Sequence, residues 1–207
     1  MEPKQEKRSR SRVRAERTVL MFSVLRKAAA HFLELAETTK EGRSLNLMAC
    51  LLYCAFCLEA LLNHIGGKRV HFWPTVERKL NPEEKLRVIC SVLRFTPDFS
   101  VAPFQTFQAA FRFRNDLVHA KTERLSCVRE MMLAEGERPE APRTRWEGLL
   151  TTGTARKWLR DTRTIIRLLF EKAGLDNDED EPHWATGAEG LTIEALDQPG
   201  NEDEPRG

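Results

Sequence analysis

Leu47-Met48-Ala49-Cys50-Leu51-Leu52-Tyr53-Cys54-Ala55-Phe56-Cys57-Leu58 is apolar at every position, and Glu59 then interrupts the run. A run of this length is shorter than the roughly 20 residues that a bilayer span requires. It does not alternate as a half-buried strand would, so it reads as a helix buried on nearly all sides by its neighbours. Ser44 is the expected N-cap and Gly66-Gly67 the expected stop, giving a helix over 44–65. Cys50, Cys54 and Cys57 recur at i, i+4, i+7, one helical face, where free cysteine packs as a small apolar side chain. Cys54-x-x-Cys57 has no second Cys/His pair at ligand spacing, so the sequence predicts no metal site.

The same period of three and four runs outward on both sides. Met21, Leu25, Ala28, Phe32 and Leu35 predict a helix over 18–37. Asn81 as N-cap, Pro82 in the first turn and Glu84 as the reaching-back acid predict a third helix, with Leu86, Ile89, Cys90 and Leu93 as its apolar face and Thr96-Pro97 as its end. A fourth starts near Ala102-Pro103 with the stripe Phe104, Phe107, Phe111 and Val118, read as core and not as a stacking platform. Residues 122–150 read as a long connection with a short helix around 127–133. A fifth helix over 154–173 carries Ala155, Trp158, Leu159, Thr162, Ile166 and Leu169 and stops at Gly174. The expected fold is therefore all-α, a compact four- to five-helix bundle over 18–174 with disordered charged termini: a basic arm, 1–17, and an acidic tail, 175–207.

The chain has 207 residues, with 33 Lys+Arg against 31 Asp+Glu and a net charge of +2. That near balance conceals unequal parts. Residues 1–30 hold 9 basic and 3 acidic residues, a net of +6, and residues 175–207 hold 1 basic and 11 acidic, a net of −10. The remaining body is also +6. A basic body and arm favour a polyanionic partner. The charged start without an apolar leader, and five cysteines in odd number, point to a reducing cytoplasm and away from a membrane.

The chemistry concentrates in Phe111-Arg-Phe-Arg-Asn-Asp-Leu-Val-His-Ala-Lys121. At about 100° per residue, Arg114 and Asn115 flank the apolar stripe of this helix, each within roughly 50° of its centre. A charge or amide in that position must find partners. Asn115 and His119 are i, i+4 neighbours, whereas Arg114 lies about 140° around the helix from His119 and joins it only by reaching across or through a second subunit. Cleaving RNA at phosphate uses a group near neutral pKa for the ribose 2′-OH or the leaving oxygen, and a fixed cation for the charge on the phosphoryl oxygens. Histidine and arginine supply those two, without a cofactor or metal. Arg26 and His31 repeat the spacing on the first helix but lack the polar residue after arginine, and read as a solvated helix edge. His64 and His71 read as surface residues, and His183-Trp184 as part of an unstructured tail.

Arg114-Asn115-Asp116-Leu117-Val118-His119 near a helix end resembles the signature of the HEPN superfamily, and Cys57-Leu-Glu-Ala-Leu-Leu-Asn63 is similar to the acidic-centred helix of those proteins. The resemblance covers roughly residues 18–174 by helix order, with 114–119 as its specific part. It implies a helical bundle and a homodimer with a composite active site. It further implies metal-independent endoribonuclease activity on single-stranded RNA, in a toxin–antitoxin or phage-defence setting with an antitoxin or other partner protein. Carried over by position, Arg114 and His119 are catalytic and Asn115 orients them, with Glu59 and Asp116 behind them; Arg112, Lys121, Arg12 and Arg14 are candidate RNA contacts. The subgroup neutralised by a nucleotidyltransferase carries a tyrosine two residues past the histidine, where this chain has Lys121. The alternative is a non-catalytic dimeric HEPN-type module that binds RNA, nucleotide or a protein partner, with Arg114 and His119 in a structural polar network.

Overall fold

The computed structural model of the chain describes residues 11–15, 18–128, 130–132, 138, 140–175 and 191–195. In it the apolar run lies within a helix of 27 residues. The helices are α1 (Met21–Thr38), α2 (Arg43–Arg69), α3 (Trp73–Val76), α4 (Pro82–Val92), α5 (Phe104–Val118) and α6 (Thr152–Ala173), with one 3-10 turn at Glu147–Leu149. The helical body is all-α, as the periodicity predicts. α2 packs against α1, α4, α5 and α6, and its Leu51, Cys54, Leu58, Leu61, Leu62 and Ile65 are fully buried. By length and composition alone α2 would cross a bilayer, but about half of its most apolar stretch is occupied by these neighbours.

Several boundaries differ from expectation, each for a local reason. Gly42, at φ 67°, and not Ser44 sits at the N-cap of α2. Gly66 does not stop the helix: a Cβ there would lie 2.2 Å from the buried indole of Trp73, so this glycine lets α3 fold back onto α2. The Asn81 capping box of α4 is present, with Glu84 N–H donating to Asn81 Oδ1 (3.0 Å) and Asn81 N–H to Glu84 Oε2 (2.8 Å). α4 nevertheless ends at Val92, ahead of Thr96-Pro97, where Arg94 turns the chain at φ 59°. α6 starts two residues early because the Thr151 hydroxyl accepts from Thr154 N–H (3.0 Å), and it ends as expected at Gly174 in the left-handed region. Residues 122–128 are not helical, and Leu133 lies outside the described residues.

α5 departs most from a single-stripe reading. Phe104, Phe107 and Phe111 are buried as predicted, but Val118 is 66% exposed, and Phe113, on the other side of the helix, is buried edge-on against Trp158 of α6. α5 is covered by α2 and by α6, so it has two buried faces. Between α5 and α6 the buried Asp161 accepts from Thr106 Oγ1 (2.6 Å) and Lys157 Nζ (2.9 Å). Burial alone would raise its carboxyl, but these hydrogen bonds and the Lys157 and Arg160 charges outweigh it and hold the group below its ordinary range.

Two single-residue expectations are corrected. Arg26 is buried on the same face of α1 as Phe22, Ala29 and Leu33, so of the two residues only His31 is solvated. His64 is not a surface residue: it is half-buried, stacked on Phe170 (5.8 Å) and tilted against Phe22 (5.3 Å), whereas His71 is exposed. Cys50, Cys54, Cys57 and Cys90 are buried as small apolar groups; the Cys50 hydrogen bond and burial hold the Cys54 thiol up, and burial pushes Cys90 to about 12.

A separate unit comprises the chain ends, and it too differs from expectation. Ser11–Ala15 (β1) and Leu191–Ala195 (β2), expected as disordered arm and tail, pair antiparallel with Arg12 in register with Glu194 and Arg14 with Thr192. The pairing sets segments of opposite net charge side by side, which a period count along one strand does not reveal. His183-Trp184 lies outside the described residues.

Two outcomes follow. Gly66→Ala forces the Trp73 indole to move and lowers unfolding free energy by about 1–3 kcal/mol in urea titration. Gly67→Ala, with nothing within 4 Å, is neutral or stabilising by up to about 1 kcal/mol. His64 has its pKa lowered by burial and by Lys68. A lowered folded pKa favours the neutral ring, so its contribution is present above the ordinary histidine pKa and is lost as pH falls through the folded value. The urea midpoint therefore drops between pH 7 and 5, and His64→Phe shallows that drop.

Candidate functional site

Arg114 is placed by the last turns of α5, on the side that faces α2. Its side chain is 24% exposed, and Nη1 donates to Glu59 Oε2 at 3.0 Å. Nε donates to Asn115 Oδ1 at 3.3 Å, and the guanidinium lies 5.4 Å from the centre of the Phe111 ring. The other Glu59 oxygen is 3.5 Å from Lys85 Nζ, which donates to Asn63 Oδ1 at 3.0 Å. Lys85 is only 6% exposed in its side chain, so its ammonium depends on Glu59 and Asn63 for compensation. One carboxylate of α2 thus ties α4 and α5 together and holds the Arg114 fork in one orientation. Glu59, Asn63, Arg78 and Lys85 line a concavity of about 380 Å³ on the α4 side of this chain of charges.

His119 lies just past the end of α5, its N–H donating to the Asn115 carbonyl (3.0 Å) and its ring exposed. With Asn115, Asp116, Lys121, Arg145 and Trp146 it lines a concavity of about 540 Å³, to which Arg114 does not contribute. The opposite wall is set by the 3-10 turn. Thr144 N–H and Oγ1–H donate to Glu147 Oε2 (2.6 and 2.9 Å), and Glu147 N–H donates back to Thr144 Oγ1 (3.3 Å). Those bonds hold the Glu147 carboxyl below its ordinary range and fix Arg145 and Trp146 between them.

The predicted residues therefore divide into two groups. Glu59, Arg114 and Asn115 are brought together; Asn115, Asp116, His119 and Lys121 share the large concavity; Arg114 and His119 stand on different sides of one helix. Arg112 is exposed on the outer face of α5, in a smaller groove of about 280 Å³ that also includes Asn115. Arg12 and Arg14 belong to β1 in the separate terminal unit. Sequence reasoning missed Lys85, Arg145 and Trp146. Lys85 has a signal, since it sits four residues before Ile89 on the apolar face of α4. Thr144-x-x-Glu147 is a capping-box pattern that marks the turn presenting Arg145 and Trp146. Among the described residues no three His, Cys, Asp or Glu side chains group as metal ligands.

No family model, curated protein or solved structure matches this chain. Glu59→Gln leaves the buried Lys85 ammonium without its anion and destabilises by about 1–3 kcal/mol. The double variant Glu59→Gln/Lys85→Met recovers most of that loss, as equilibrium unfolding of the four proteins of the cycle will read out.

Proposed function

We propose that this protein is a metal-independent endoribonuclease of HEPN type that cuts single-stranded RNA by attack of the ribose 2′-OH. The observation that carries the reading is the pairing, on one helix, of an Arg114 fork fixed by Glu59 with an exposed His119 in a large concavity beside Lys121 and Arg145. His119 takes the 2′-OH proton, the 2′ oxygen bonds to phosphorus, and the bond to the 5′ oxygen breaks as that oxygen takes a proton from solvent water, leaving a 2′,3′-cyclic phosphate and a 5′-OH. Arg114 neutralises the charge that grows on the non-bridging oxygens, and Asn115 orients both groups. Because Arg114 and His119 face apart, the active site is composite, each centre taking Arg114 from one copy and His119 from the other in a homodimer. The setting is cytoplasmic toxin–antitoxin or phage-defence biology, with an antitoxin or other partner protein. A second reading, a non-catalytic dimeric module, is favoured by one observation: Arg114 already spends a guanidinium hydrogen bond on Glu59.

Purified protein in EDTA should cut single-stranded RNA to cyclic-phosphate ends. Arg114→Ala and His119→Ala, folded by circular dichroism, each lose about 10²–10⁴-fold in rate. An equal mixture of the two inactive variants regains about a quarter of wild-type activity, because random pairing leaves one intact centre in half of the dimers. Identical behaviour of wild type and both variants would leave the module reading.

A further inference from the structure

The outward face of α5 is polar along its whole length: Gln105, Gln108, Arg112, Asn115, Asp116 and His119 recur at three- and four-residue spacing. A polar helix face is ordinarily convex and solvated. This one borders three adjoining concavities. A groove of about 360 Å³ includes Gln105, Gln108 and Arg112 with Lys157 of α6. The groove of about 280 Å³ shares Gln108 and Arg112 with it, and shares Asn115 with the 540 Å³ concavity that holds His119. Gln108 and Arg112 stand between the first groove, on the α6 side, and the second, on the α4 side, and Asn115 stands between the second and the third, so the three adjoin as a corrugated channel along α5.

Its cations are in two states: Lys157 is paired with Asp161 (2.9 Å), whereas Arg112, Lys121 and Arg145 belong, like Arg78 and Arg163 elsewhere on the body, to the cations without an ion pair among the described residues. Arg87, Arg143, Arg156 and Arg160 each have a carboxylate within 3.5 Å. Among the described residues, Arg112, Lys121 and Arg145 have none within 4 Å, although all three are exposed and line the channel. The acid of the middle groove, Glu83, accepts from Arg87 (2.7 Å) and Gln108 (3.0 Å) and is also close enough to Arg112 to feel its charge, and together these hold it below its ordinary range. Asp116 and Glu123 remain at the His119 end and oppose the cations there.

We propose that this channel is the track for a single RNA strand, running from Arg112 and Lys157 along α5 to His119, with phosphates on Arg112, Lys121 and Arg145. The inference rests on the ribonuclease reading for its polarity toward His119. From Gln105 to His119 the helix rises about 21 Å, the length of about six stacked nucleotides at ~3.4 Å each. Gln105, Gln108 and Asn115 offer paired donors and acceptors that suit base edges, which only an unpaired strand exposes, and Trp146 offers a stacking face at the far wall.

The test is fluorescence anisotropy of the full chain with a labelled twelve-nucleotide 2′-O-methyl uridine oligomer, which cannot be cut through its 2′ oxygen. Three phosphate contacts give a slope of log K against log salt of about −2. Arg112→Ala and Arg145→Ala each bring that slope about 0.7 closer to zero and weaken binding about eightfold at 50 mM salt relative to 1 M behaviour. Asp116→Asn tightens binding, and Arg156→Ala, whose cation lies off the channel and pairs with Glu37, changes nothing. Unchanged slopes for Arg112→Ala and Arg145→Ala overturn the track even if the protein cleaves RNA. Conversely, normal oligomer binding with no cleavage of ordinary RNA removes the ribonuclease reading and leaves the track standing.

Discussion

Glu59 is the only acid in a helix that otherwise supplies the centre of the core, and its carboxylate has to be compensated where it stands. Lys85 approaches it from α4 and Arg114 from α5, and each brings a constraint of its own. Lys85 is the more buried of the two cations, so it is the one that cannot leave; Arg114 keeps a quarter of its surface in water and has donors to spare. A carboxylate shared in this way orients the guanidinium without consuming it. The same bond registers α4 and α5 against α2, which sets where the end of α5 and His119 come to lie.

The second constraint is that α5 is packed from two directions. Phe107 and Phe111 fill one side, and Phe113 meets Trp158 on another. Two buried faces leave a helix of this length only one outward strip, on which a residue must emerge, or at the helix end, to be fully exposed. Asn115 and His119 do so, whereas Arg114 lies on the inner margin and meets Glu59. The separation of Arg114 from His119 is set by the helical angle between them, and the burial of α5 turns it into one inner and one outer side chain.

Much of this was legible before any coordinates. The apolar run 47–58 demanded a central helix, Asn81-Pro-Glu-Glu gave the start of α4, Gly174 gave the end of α6, and the arginine-to-histidine angle already separated Arg114 from His119. What escaped shares a physical cause. Gly66 reads as a stop signal in one dimension and becomes a packing site only when Trp73 arrives from a later turn. His64 looks like a turn residue until Phe22 and Phe170 close over it, and the spacing that puts Lys85 on the apolar face of α4 does not tell that Glu59 sits opposite. Each depends on a partner far along the chain, which periodicity within one segment does not encode. The β1–β2 pairing of the chain ends is the extreme case, with partners about 180 residues apart.

Charge follows the same logic at longer range. A net of +2 says little, and even the +6 of the body is an average over cations in different states. An arginine that already faces a carboxylate at hydrogen-bond distance contributes little field beyond the ~10 Å screening length of ordinary salt. Arg112, Lys121 and Arg145 have no carboxylate at ion-pair distance among the described residues and contribute more, and they stand in concavities whose low-dielectric walls concentrate their field instead of dispersing it over a convex surface. Asp116 and Glu123 lower that field near His119, as Glu83 does beside Arg112, so neither end of α5 carries an unopposed positive charge. On the proposed ribonuclease reading, the phosphate at His119 would then be held by geometry, and by Arg114 of a second copy, more than by bulk charge.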